Sequence, residues 1–356
     1  MKQRLLELDG CRGLLCWTVV AGHWIGSRMG WGNVNFSHSY ISVDGFFILS
    51  GIVLSYIYKE KLLSSNREFF KYSLHRIERL YPLHILTFII TYLIYSKFFN
   101  SFPFENPGLT ALYNVLLIHG LGFASSWNWN DPSWSISVEL YSSIIAFPLL
   151  IKLKNNLTLI AIAVICYAFV YARHHNLEAA TDVHLFFFSS GILKCIAGLS
   201  LGILITNLSN YASSKQKADL LTTVLQTVAV VTAGFFIYSK DTIHAYDWLV
   251  IALFCYIFFT LINYSSFWNT LASNKAIVYF GNISFSIYLL HTPLMLLLDQ
   301  ANFFRKSSMM MQTFIFIILL TIFSHFIYNR FELPIYKKLK KTSDNAINKN
   351  QSPKAL

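Results

Sequence analysis

Seven ionisable residues stand inside or beside strongly apolar runs. They are Arg12 and His23 in "RGLLCWTVVAGH", Asp44 in "SHSYISVDGFFILSG", Arg76 and Arg79 in "REFFKYSLHRIERLYPLH", Glu139 in "DPSWSISVELY" and His291 in "FGNISFSIYLLHTP". A charged side chain inside a bilayer costs about 2.5–3.5 kcal/mol even on lenient insertion scales, so each of these calls for a partner or a task. Histidines beside carboxylates are the makeup of an acid/base site, because the carboxylate orients the ring and raises its basicity. Arginines at i and i+3, such as Arg76 and Arg79, share a helical face and present forks suited to phosphate. Two plainer readings compete: Arg12 snorkels to lipid phosphates while His23 anchors an interface, and Arg76 and Arg79 are ordinary basic anchoring with Glu78 as a neutralising neighbour.

The elements that must position these groups are membrane helices. The chain has 356 residues, 55% hydrophobic and only 13% charged, with positive mean hydropathy. A spanning helix needs about 20 mostly apolar residues. Runs of that kind fall near 10–27, 38–58, 82–100, 134–152, 156–173, 184–207, 218–239, 247–264, 277–298 and 311–331, with a shorter one at 109–123. If the short run does not cross, Lys and Arg gather on one side, including Lys2, Arg4, the segment from Lys59 to Arg79 and the Lys-rich tail. By the positive-inside rule that side is cytoplasmic. The expectation is an all-α polytopic bundle of about ten transmembrane helices, both termini cytoplasmic, with 109–123 re-entrant or on the surface. No separate signal pattern precedes the first run, which is expected to stay. Residues 1–341 read as one membrane domain and 342–356 as a disordered cytoplasmic tail.

Within this frame Arg12 and His23 share one helix face, about 16 Å apart along the axis, with His23 in the outer half. Asp44, Glu139 and His291 are expected at a similar depth, so that two acids and two histidines converge on one layer. Arg12, Arg76 and Arg79 lie below it as a cytoplasmic anion site. Phe69, Phe70, Leu74, Ile77 and Leu80 recur at helical spacing and predict an amphipathic surface helix, with a bend at Pro82. Lys194, mid-span, is expected to support the site. His119 faces it only if the short run is re-entrant. The aromatic run "SSWNWNDPSW" reads as an interfacial belt or the lining of an acceptor sugar site, and Ser133, Ser135 and Ser137 are nucleophile candidates by proximity to Glu139 alone.

The net charge of +11 does not point to nucleic acid, since the basic residues border apolar spans instead of forming a separate patch. Anionic lipid and a phosphorylated ligand are the expected partners. The five cysteines lack metal-type spacing and read as packing residues, and no metal is expected.

The strings "LDGCRGLLCWTVVAGH", "VDGFFILSGIVLSYIY", "HRIERLYP", "WSISVELY", "GNISFSIYLLH" and "NRFELPIYKKLKK", spread from residue 8 to about 341, resemble the acyltransferase 3 family of integral-membrane acyltransferases. The resemblance implies an acyl-coenzyme A donor, acetyl by default, on the cytoplasmic side of a bacterial inner membrane. The implied acceptor is a hydroxyl of a cell-surface or lipid-linked glycan. It also implies that Arg12 and His23 are the essential pair of the first span, that Arg76 and Arg79 are the cytoplasmic arginine motif, and that Asp44, Glu139 and His291 hold further motif positions. Some family members carry an additional extracytoplasmic esterase-like domain, for which this chain is expected to be too short. His23 would act as general base or acyl carrier, with Asp44, Glu139 and His291 as further catalytic candidates and Arg12, Arg76 and Arg79 holding the donor. The competing class is a proton-coupled transporter or flippase, which buried charges among ten helices suit equally well. A sensor or scaffold would explain the arginines but not the acid/base residues.

Overall fold

Apolar stretches of this length can satisfy their backbone polar groups inside a bilayer only by forming helices, and helices dominate the computed structural model. It describes residues 4–349 except 31–35, 37, 100, 101, 105, 124–128, 179–182, 186, 187, 210–214, 240–243 and 245. In chain order the α-helices are α1 Leu6–Met29, α2 Ile41–Ser64, α3 Asn66–Phe98, α4 Pro107–Val115, α5 Trp134–Leu150, α6 Asn156–His174 and α7 Ser190–Leu208. They continue as α8 Leu220–Tyr238, α9 Tyr246–Asn263, α10 Phe267–Ala272, α11 Lys275–Leu298, α12 Asn302–Lys306, α13 Met309–Ile327 and α14 Leu333–Lys349. Nine segments of the described chain are long and apolar enough to cross a membrane. The 24-residue α1, expected as the first of ten spans, is not one of these nine, since Glu7, Asp9, Arg12 and Arg28 make it more polar than they are. The protein is an integral membrane helix bundle.

Two close helix pairs organise the interior, and glycines permit both. A Cβ on Gly281 of α11 would sit 1.9 Å from the Asp9 carbonyl oxygen of α1. A Cβ on Gly202 of α7 would sit 2.4 Å from the Ile48 carbonyl oxygen of α2. Small residues at such crossings let backbones approach where lipid offers no hydrophobic drive for association. Trp24 pins the far end of α1 to α13, stacking on Phe316 at 4.3 Å and donating to Thr313 Oγ1 at 3.0 Å.

The run 109–123 does not cross. It folds as the nine-residue α4 followed by a short 3-10 turn, His119–Leu121, and about 14 Å of helix is half of what a bilayer core requires. It docks on the start of α5, where Ser137 Oγ donates to the Leu117 carbonyl at 2.6 Å and accepts the Gly120 N–H at 3.1 Å. The amphipathic segment before Pro82 is not a separate surface helix: α3 is one 33-residue helix with that proline inside it.

The chain end also differs from the sequence expectation. Helix α14 continues past residue 341 to Lys349, so 342–349 are ordered, while 350–356 lie outside the described residues. The physical reason lies on α3, whose Lys71 and His75 meet Asp344 at 2.8 and 3.2 Å and whose Arg67 donates to the Ile347 carbonyl at 3.2 Å. A five-residue π-helical segment, Tyr328–Glu332, joins α13 to α14 and carries the buried Glu332.

Candidate active site

The residues leading into α1, its first turns and α3 bring four arginines to one cavity of about 480 Å³, lined by Arg4, Arg12, Arg76 and Arg79 together with the carboxylates Asp9 and Glu139. Each arginine is held. Arg12 donates through Nε and Nη2 to the Gly281 carbonyl at 3.1 and 2.7 Å, and its Nη2 lies 3.2 Å from Asp9. The glycine that brings α11 against α1 therefore also supplies the oxygen that aims Arg12. Arg76 Nη2 meets Glu139 Oε1 at 2.6 Å, and Arg79 Nη1 meets Glu332 Oε1 at 2.6 Å. Glu332 is itself fixed by Ser286 Oγ at 2.6 Å. With four arginines against three carboxylates, Asp9, Glu139 and the Glu332 that holds Arg79, the cavity keeps a positive excess, which concentrates anions.

Ser135 and Tyr288 also line this cavity. Their hydroxyls lie 2.9 Å apart, and Ser135 donates to the Pro132 carbonyl at 3.0 Å, so the Tyr288 O–H points to Ser135. One turn further along α11, His291 Nδ1 lies 2.6 Å from the Tyr288 carbonyl, and its Nε2 lies 2.9 Å from His23 Nδ1. A carbonyl only accepts, so His291 carries its proton on Nδ1. A neutral His291 then accepts at Nε2, and His23 donates from Nδ1. This order of donors leaves Nε2 as the basic nitrogen of His23.

The structure thus brings the two histidines together, as the depth argument expected, but not the acids with them. Asp44 faces Lys194 of α7 at 3.2 Å, both fully buried, so the lysine is the acid's partner and does not support the histidines. Glu139 accepts from Ser50 Oγ at 2.8 Å as well as from Arg76. Ser50 is six residues beyond Asp44 on α2, about 9 Å nearer the arginines. The expected layer of two acids and two histidines is therefore not formed, because each acid neutralises a buried cation of its own.

His119 is buried but apart from this pair, stacked on His84 at 5.6 Å, with Nε2 2.9 Å from Ser133 Oγ. Ser133 gives its only proton to the Asn130 carbonyl at 2.6 Å, so His119 donates to it and does not activate it as a nucleophile. Trp129 lies not in an interfacial belt but 1% exposed, in an aromatic cluster with Phe88, Phe102 and Phe104. Trp127 lies outside the described residues. All five cysteines are free thiols, and Cys11, Cys16 and Cys195 are buried.

Glu332, Tyr288, Asp9 and Ser50 are site residues that no sequence motif marked out. For Glu332 a signal was there: an acid at the inner end of an apolar span needs a cation, and Arg79 was in search of an acid.

Fold and site together define a polytopic membrane protein whose spanning helices enclose an arginine-lined cavity reaching towards a histidine pair. The model of the acyltransferase 3 family, described as an acyltransferase domain, matches residues 5–329, and the chain belongs to that family. Acyltransferase MdmB from Streptomyces mycarofaciens is 31% identical over 151 residues, a match covering 37% of this chain and 36% of that protein. The match thus spans about a third of the relative's length. No solved structure matches the chain.

Proposed function

We propose that the protein moves an acyl group, acetyl by default, from acyl-coenzyme A to a hydroxyl of a cell-surface or lipid-linked glycan. His23 is the general base, and the arginine-lined cavity opens to the cytoplasm of a bacterium, in its inner membrane. The observation that carries this reading is the shared Tyr288, which lines the cavity and whose carbonyl fixes the His291–His23 tautomer. An anion-attracting cavity on one side and an oriented base on the other are what a phosphorylated thioester donor and a hydroxyl acceptor require. The positive-inside pattern supports the cytoplasmic assignment of the Arg12 end.

In this reading Arg12, Arg76 and Arg79 hold the donor's phosphates, and His23 Nε2 takes the proton of the acceptor hydroxyl as its oxygen attacks the thioester carbonyl. The C–O bond forms, the C–S bond breaks, and the leaving thiolate recovers the proton from His23. His291 acts through His23 as a positioning residue: it accepts the Nδ1 proton and favours the imidazolium while it lasts. Asp44 is assigned to Lys194 and Glu139 to Arg76, and neither is given a proton-transfer step.

The test is acetyl-coenzyme A binding and thiol release by the purified protein in nanodiscs. His23→Ala is expected to bind the donor as the parent does and to lose turnover by about 10²–10⁴. His291→Ala is expected to lower kcat with little change in KM. Parent-rate turnover by His23→Ala overturns the mechanism. A folded parent that neither binds nor consumes acyl-coenzyme A overturns the activity and returns the buried charges to a transport role.

A further inference from the structure

At the His23 end of the bundle, away from the arginine cavity, His38, Tyr40, His244 and Asp247 meet around one point. His38 and Tyr40 immediately precede α2, while His244 and Asp247 lie just before and at the start of α9. Ser39, between His38 and Tyr40, abuts Gly22 of α1, next to His23. His38 and Asp247 are 3% and 1% exposed. Among the described residues, His38, His244 and Asp247 form a group whose ligand atoms lie within 4.8 Å of one another.

We infer that these residues form a divalent transition-metal site of zinc type, with His38 Nδ1, His244 Nδ1, Asp247 and the Tyr40 hydroxyl as ligands. Tetrahedral zinc takes nitrogen and oxygen ligands at about 2.0–2.1 Å, which sets ligand–ligand edges of about 3.3 Å. Four of the six edges are 3.3 Å from Tyr40 Oη to His38 Nδ1, 3.1 Å to His244 Nδ1, 3.0 Å to Asp247 Oδ1 and 3.2 Å from His38 Nδ1 to Asp247 Oδ1, and the two from His244 to His38 and Asp247 fall within 4.8 Å. The donor set of imidazoles, carboxylate and phenol suits zinc and its first-row neighbours, not calcium or magnesium.

An outer shell is present. The Leu177 N–H donates to Asp247 Oδ2 at 3.0 Å, and the Leu177 carbonyl accepts from Lys194, the partner of Asp44. Supporting contacts of this kind orient metal ligands. On binding, the imidazoles are neutral, Asp247 is ionised, and Tyr40 ligates as phenolate with its proton released to solvent. The metal then ties the starts of α2 and α9 together beside the wall that carries His23.

The test uses the full chain, tag-free and metal-depleted, titrated with Co²⁺ and then Zn²⁺. One Co²⁺ per chain with the intense visible absorption of a tetrahedral site is expected, displaced by Zn²⁺, with a rise in Tm on loading. His244→Ala is expected to weaken uptake at least tenfold. Tyr40→Phe keeps the ring packing, so it should stay folded even if His244→Ala does not, and should shift the Co²⁺ spectrum. Absence of stoichiometric uptake by the parent, or a Tyr40→Phe spectrum identical to the parent's, overturns the proposal and leaves a hydrogen-bonded cluster.

Discussion

Glu139→Gln separates the roles this carboxylate is able to hold, because stability, donor affinity and turnover respond in different directions. Gln keeps an oxygen for Ser50 and Arg76 but removes the charge that faces the Arg76 guanidinium at 2.6 Å. The side chains of Arg76 and Glu139 are 13% and 20% exposed, so the arginine is left mostly buried with its charge uncompensated. Removing one partner of a buried pair costs about 3–5 kcal/mol, and the retained hydrogen bonds and cavity water reduce that to about 2 kcal/mol here.

Donor binding moves the other way. A phosphate on the far side of the guanidinium lies about 6 Å from Glu139, where a like charge costs roughly 0.7–2.8 kcal/mol at an effective dielectric of 80 to 20. Coenzyme A is therefore expected to bind about threefold to a hundredfold tighter to Glu139→Gln than to the parent. Turnover is expected to continue, since Glu139 accepts from Arg76 and not from His23. The assays are unfolding in mixed detergent micelles, calorimetric titration with coenzyme A, and thiol release. Weaker coenzyme A binding in a folded variant would refute the anion-site argument, and turnover abolished with binding intact would give Glu139 a proton-transfer role.

Two further predictions concern the bundle itself. Lys194→Met removes the cation that faces the buried Asp44 and is expected to cost about 3–5 kcal/mol, most of it recovered in Lys194→Met/Asp44→Asn. Equal stability of single and double variants in micelle unfolding would show that the pair is not coupled. Gly202→Ala places a methyl 2.4 Å from a backbone oxygen of α2 and is expected to destabilise by about 1–3 kcal/mol or more. Gly234→Ala, where nothing lies within 4 Å, is expected to be neutral or to raise stability by up to about 1 kcal/mol. A thermal shift series that fails to separate these two glycines contradicts the close-packing account.

Apolar run length was enough to read nine of the ten expected spans, because a helix rises a constant amount per residue and the bilayer sets the minimum, while the Lys and Arg pattern demoted 109–123. The same constant rise placed His23 and His291 in one half of the membrane, where they do meet. It could not do the same for Asp44 and Glu139. Sequence spacing measures depth along a helix, whereas a side chain's partner depends on which helix lies beside it, and α2 happens to pack on α7, the bearer of Lys194. Glu139 shows the second limit, since a few residues of uncertainty at the start of α5 separate the arginine level from the histidine level.

The tail beyond 341 looked too polar to order by itself, and it is ordered through Asp344 against α3, a partner some 270 residues away. His38 and Asp247 are 209 residues apart, so no spacing motif announces them. What the sequence by itself determined is the membrane class, the spans and the stock of chemically able residues, because composition and helical period are local properties. Only the tertiary structure decided which acid answers which base: pairing is a property of helix neighbours, and glycines such as Gly202 and Gly281, mute in a sequence, let those neighbours approach.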